Sequence, residues 1–284
     1  MDRVSASEAD FARPEQVDPA RAEAGGLRFE ILEPFMRRRL LYMGPIHVLP
    51  RGELMENPRA AFQAHPAVPC EVALEFESVT PAHGGELLGD DGQPYDEGEG
   101  RYFARAHMDQ SLRGHGRIRV GDASWAVSGH GLMDHSWGPR IWQSIPWYRW
   151  FPCTFSDDFA LCLLVVCQAD GRLLRTGYVH EGGSDLVQVD EVTLASRYDV
   201  RGYPAGFDLC FTDTRGRRFE VEGETVNAVP CRHMRRLDGG RMDCTRIMES
   251  LTRYRCGGHV GWGLAEYMDH VDANGGLEGV VAGW

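Results

Sequence analysis

The sequence predicts an all-β protein with few short helices. Most of the chain consists of short apolar stretches separated by glycine, proline or aspartate turns, a rhythm that suits sandwiches and barrels. Several stretches alternate apolar and polar residues with period two, and long helices are hard to find.

Taken in chain order, residues 1–26 contain acids, two prolines and no apolar core, and are expected to be a disordered start. They are expected to be neither a signal peptide nor a membrane span. A short helix is expected over Asn57 to Gln63, with Asn57 as the cap and Pro58 at the first helical position. From Val72 to Val79, Val72, Leu74, Phe76 and Ser78 share one side of a half-buried strand. Gly84 to Gly100 carries six acids and no base and reads as a surface loop; its acids lack the order of an EF-hand calcium site. Phe159 to Cys167 is apolar throughout, which fits a strand buried on both faces and also a buried helix segment. Phe207, Leu209 and Phe211, the turn Asp213-Thr214-Arg215-Gly216, then Phe219 and Val221 make a hairpin.

A length of 284 residues, 43% hydrophobic, supports one large or two modest cores. Two β domains are expected, over 27–150 and 151–284. The formal charge of −12 repels nucleic acid and anionic membranes. The chain has no lysine, so Schiff-base chemistry is excluded. The eight cysteines form no C-x-x-C pair and read as buried free thiols, which agrees with a cytoplasmic location. The strongly apolar stretch 159–167 is far short of the roughly 20 residues that cross a bilayer.

The densest chemistry lies from Trp125 to Trp150, which holds five of the seven tryptophans. As one strand, Trp125 to Trp137 places Trp125, Val127, Met133, His135 and Trp137 on one face and His130, Leu132, Asp134 and Ser136 on the other. The first face has the character of an apolar pocket wall. His135 would carry a proton near neutral pH, and Trp137 would stabilise a developing cation. Core packing alone explains the same face equally well. Asp134-His135-Ser136-Trp137-Gly138 is not a nucleophile elbow, and Gly129-His130-Gly131 lacks the rest of a dinucleotide fingerprint. His130 and His135 face opposite ways, so no shared metal is expected.

This segment resembles a known family. His107-Met108-Asp109-Gln110, followed by Gly129-His130-Gly131-Leu132-Met133-Asp134-His135-Ser136-Trp137-Gly138-Pro139-Arg140, is similar to a pattern of carotenoid 1,2-hydratase (hydroxyneurosporene synthase) and its AttH-like relatives. Phe29 to Phe35, Tyr42-Met43-Gly44 and Gly261 to Tyr267 resemble the family's opening and closing segments. The resemblance implies two packed lipocalin-like antiparallel β-barrel domains with an apolar cavity near the shared motif. In the hydratase branch such a cavity protonates an alkene and adds water, without metal or organic cofactor. His135 would then belong to the acid-base site and Trp137 to its cation-stabilising wall. Asp109 stands where a glutamate is common.

Other candidates keep two readings each. His107 and Asp109 share a strand face and suit a second acid-base pair, or a solvated salt bridge that includes Arg105. Arg140 would clamp a phenolate or carboxylate, or neutralise Asp134. Tyr148, with Trp147 and Trp150, would line an entrance or a domain seam. Glu266 and Tyr267 sit in a glycine-rich strand, where a close backbone approach to a ligand or another strand is expected.

These residues predict a cofactor-independent lyase acting on a hydrophobic alkene or phenolic molecule, lignin-derived aromatics included. It would add or remove water or cleave a carbon–carbon bond; an isomerase fits less well. The catalytic set would be His135, Asp134, His107 and Asp109, with Trp137, Arg140, Trp125, Tyr148, Glu266 and Tyr267 binding substrate and no metal. A non-catalytic carrier of an apolar metabolite is the competing reading, and the tryptophans would also serve a homodimer contact.

Overall fold

The computed structural model describes residues 18, 20–86, 104–138, 141–168, 170–236, 240, 242–271 and 284. Within them the chain is all-β, with fifteen strands and two short helices. It divides into two compact units, one comprising the chain up to Val79 with Leu112–Gly131, the other Thr80–Ser111 with Leu132–Trp284. Among the described residues no helix is long and apolar enough to cross a membrane.

The first unit is an antiparallel meander of β1 (Arg21–Ala24), β2 (Leu27–Glu33), β3 (Arg37–Ile46) and β4 (Val68–Ser78). It adds residues 112–120 of β6 (Ala106–Val120) and 123–131 of β7 (Ala123–Trp137). β1 falls inside the stretch expected to be disordered. Its backbone pairing with β2, from Arg21 opposite Glu30 to Ala24 opposite Leu27, orders residues 21–24, whereas residues 1–17 and 19 lie outside the described residues. Charged cross-strand pairs line this sheet: Arg39 lies 2.7 Å from Glu75 and Arg113 2.7 Å from Glu77. Between β3 and β4 come α1 (Glu53–Glu56) and α2 (Pro58–Ala64), where Asn57 caps the Ala60 backbone N–H as the sequence predicts.

The second unit is built on a closed antiparallel barrel. Its strands are β8 (Trp147–Ser156), β9 (Phe159–Cys167), β10 (Leu173–His180), β11 (Val187–Tyr198), β12 (Pro204–Asp213), β13 (Arg218–Arg236), β14 (Met242–Cys256) and β15 (His259–Val271), and β15 pairs back to β8. The expected hairpin is β12–β13. Asp213 accepts from the backbone N–H groups of Arg215 and Arg217 and so fixes its turn. Phe159–Cys167 is the strand β9, buried along most of its length.

Alternation divides the barrel's two faces. Phe151 on β8 meets Phe207 on β12 with ring centroids 4.5 Å apart, and Tyr267 on β15 meets Ser196 on β11 at 3.0 Å. Strands that are not neighbours around the barrel can touch only across its interior, so Trp147, Arg149, Phe151, Tyr267 and Asp269 point inward. There Arg149 and Asp269, both fully buried, pair at 2.7 Å, and the guanidinium lies over the Tyr267 ring. Their neighbours Tyr148, Trp150, Glu266 and Met268 therefore face outward. Tyr148, Trp150 and Met268 join Cys162, Val166, Tyr178 and Ile247 in a second apolar cluster on the barrel's outer face.

All eight cysteines are free, but the expectation that all are buried is corrected. Cys231 is exposed, and Cys210 and Cys244 are half-buried on strand faces that nothing covers completely.

Candidate functional site

A cavity of about 270 Å³ lies in the second unit, on the outer face of the barrel. Its floor is apolar: Trp150 from β8, Cys162, Leu164 and Val166 from β9, and Thr176 and Gly177 from β10. Its other side comes from β5 (His83–Glu86), the first residues of β6 and the last residues of β7. β5 pairs with β6 so that His83 stands opposite Asp109 and Gly85 opposite His107.

Two polar pairs project into this space. In the first, His107 Nε2 lies 2.7 Å from Asp134 Oδ1 and 3.4 Å from Asp109 Oδ1. His107 and Asp109 share a face of β6 because they are two residues apart, and Asp134 reaches them from the paired strand β7. Asp109 is 3% exposed, and burial pushes its carboxyl up from 3.8 to about 6; the nearby His107 opposes this and Asp134 adds to it. The Cys162 thiol donates to Asp109 Oδ2 at 3.3 Å, while Oδ1 has no hydrogen-bond partner. In the second pair, the Tyr148 hydroxyl donates to Glu266 Oε1. Glu266 stands opposite Glu249 in the β14–β15 ladder, and burial raises the Glu249 carboxyl.

His83 completes one wall. Its ring packs on Tyr178 at 4.9 Å and its Nε2 lies 3.2 Å from Gln188 Oε1, and desolvation lowers its basicity. Among the described lining residues there are four carboxylates, two imidazoles and no arginine. Glu86 has Arg105 3.9 Å away, outside that lining.

Five of the sequence candidates, His107, Asp109, Asp134, Tyr148 and Glu266, thus line one cavity. The proposed hollow beside His135 and Trp137 is corrected. Their rings do share a face, 5.2 Å apart, but both residues are exposed, Trp137 at 39%. The face that meets the apolar cluster is the opposite one: Leu132 packs against it and Asp134 points into the cavity. Trp125 is also exposed and lies on the first unit's part of β7. Tyr267 points into the filled barrel interior, away from its neighbour Glu266, because adjacent strand residues face opposite ways. Arg140 and most of the acidic segment 84–100 lie outside the described residues.

His83 and Cys162 were not singled out from sequence. Period two puts Cys162 on one face with Leu164 and Val166, but nothing in a uniformly apolar run says which face meets a cavity.

No curated protein matches the chain. Two solved structures are similar to it, "Crystal structure of CghA with Sch210972" and "Crystal structure of CghA", each at 10% identity. Their TM-scores are 0.41 and 0.42; the first match covers 87% of this chain and 85% of the other, the second 90% and 75%. The family model described as "Domain of unknown function (DUF7064)" matches residues 1–271, and the chain belongs to that family.

Proposed function

We propose that the chain is a cofactor-independent lyase that adds water to, or removes it from, a small apolar alkene or phenolic molecule held in this cavity. The observation that carries the reading is the convergence of a buried carboxyl, Asp109, with the imidazole of His107 on the wall of a cavity with an apolar floor. A carboxyl poised near 6 is protonated often enough at neutral pH to act as an acid.

In the hydration direction Asp109 gives its proton to one alkene carbon, and the electron pair of the double bond forms the new C–H bond. The cation left on the second carbon is stabilised by Trp150 and by the carboxylates around it, with no arginine among the described lining residues to oppose it. Water bonds to that carbon and loses a proton to His107, whose Nε2 returns it to Asp109. Asp134, whose Oδ1 lies 2.7 Å from Nε2, accepts a hydrogen bond from the imidazolium that exists between these two transfers. Tyr148 and Glu266 are placed to orient a substrate hydroxyl.

Ligand clefts commonly occupy roughly 300–1,000 Å³. A space of about 270 Å³ suits a single-ring phenolic or a short isoprenoid, and is too small for a full-length carotenoid. The test is to incubate the purified chain with a panel of single-ring vinyl phenols and short isoprenoid alkenes and to analyse products by mass spectrometry. A hydrated product made by the native chain and lost in Asp109→Asn supports the reading. Ligand retained tightly but unchanged overturns it in favour of a carrier.

A further inference from the structure

We infer that His107, Asp109 and Asp134 together also form a binding site for one divalent ion of the first transition row, and that such an ion shuts off the proton relay by taking the same three atoms. The inference rests on the site proposed above, but its test needs no substrate. One imidazole nitrogen and two carboxylate oxygens, one from each residue, lie within 4.8 Å of one another. Ligand atoms about 2.1 Å from a tetrahedral ion are about 3.4 Å apart. The observed separations of 2.7 and 3.4 Å from His107 Nε2 therefore need only small side-chain rotations to match.

Two further observations point to a cation at this place. Asp109 Oδ1 is buried, has no hydrogen-bond partner and lies 3.4 Å from His107 Nε2, so its charge is compensated either by a protonated imidazole or, when His107 is neutral, by a bound cation. Among the described lining residues acids outnumber bases: Asp109, Asp134, Glu86 and Glu266 face two imidazoles and no arginine. Access is open, since the Asp134 and His107 side chains are 43% and 31% exposed, leaving room for water at the remaining coordination positions. The nitrogen ligand selects against magnesium and calcium, which favour all-oxygen sets, and in favour of zinc or cobalt. All three ligands stand on paired strands, which hold such a geometry better than loops do.

Occupation would place the ion on His107 Nε2 and both carboxylates, so that no proton passes between them. The ion would thus act as an inhibitor and not as a cofactor.

The test is a titration of the full, chelator-treated chain with Co²⁺, read by its visible d–d absorption, followed by displacement with Zn²⁺. Tight uptake of one equivalent is expected, with a weakening of at least about tenfold in His107→Ala, Asp109→Asn and Asp134→Asn. His135→Ala, one residue from Asp134 but on the other face of the strand, should bind as the native chain does. Asp134→Asn keeps the test decisive if the buried Asp109 variant fails to fold, because Asp134 is at the exposed edge. Absorption that is absent, or that is the same in the native chain and in Asp134→Asn and His107→Ala, overturns the inference. So does a loss of hydratase activity on chelation, which would make the ion a requirement; hydration that persists under chelator leaves the proposed function standing whatever the titration shows.

Discussion

His107 Nε2 stands 2.7 Å from Asp134 Oδ1, a contact made between two paired strands and beside a cavity. Asp134 and His135 are adjacent in sequence, yet only the aspartate takes part. The imidazole that meets it comes from β6, and the one beside it in sequence faces solvent.

This arrangement predicts a contrast between two histidines. His107→Ala should lower turnover of the alkene or phenolic substrate by about 10² or more, as loss of an acid-base group does. His135→Ala, at an exposed position, should stay within a factor of about two. Steady-state kinetics on both variants check this, and the reverse ranking would return the site to the outer face of β7.

Asp109 should make stability depend on pH. Its folded pKa of about 6 lies above the usual 3.8, so the folded state binds the proton more tightly than the unfolded chain does. The native chain therefore has its full share of this stability below about pH 4 and loses it as pH rises through 6. At 1.4 kcal/mol per pH unit the effect is worth roughly 3 kcal/mol at most. Asp109→Asn in metal-free buffer should be more stable than the native chain at pH 8, and the difference should shrink toward pH 4. Urea unfolding at the two pH values measures it.

Arg149→Met should be strongly destabilising. It removes the partner of Asp269 at 2.7 Å in the barrel interior, where both side chains are fully buried. Leaving one charge of such a pair costs about 3–5 kcal/mol. Arg246, 3.6 Å from the other oxygen of Asp269, keeps the loss toward the lower end. Chemical denaturation followed by tryptophan fluorescence gives the value.

Gly84→Ala should disturb the site through the backbone. Gly84 has φ +104°, and a Cβ there would stand 2.2 Å from the His107 carbonyl oxygen. The variant must separate β5 from β6 beside His107, at a cost of about 2 kcal/mol or more. Turnover should fall along with the unfolding midpoint, whereas Gly216→Ala, with open space around it, should leave turnover unchanged.

The strand content was legible because it rests on local rules. Phe207, Leu209 and Phe211 alternate whatever they pack against, and Asp213 closes its own turn with bonds to Arg215 and Arg217. The helix at 58–64 was legible in Asn57-Pro58 for the same reason. Residues that line the candidate cavity were singled out too, since His107 with Asp109 and the Asp134 segment carry unusual chemistry for a strand. Their grouping was not.

By itself the sequence determined that Asp134 and His135 lie on opposite faces of one strand, that Glu266 and Tyr267 share a late strand, and that the chain folds as sheets. Only the tertiary structure decided which face in each case meets a cavity. The aromatic face of β7, with Trp125, His135 and Trp137, looked like the inner one, yet it is the face left exposed. The reason is physical: alternation follows from backbone geometry within one strand, whereas burial depends on what distant segments cover. Here the even face of β7, through Leu132, packs against the cluster of Tyr148, Trp150, Cys162 and Met268, and Asp134 is carried to the cavity with it.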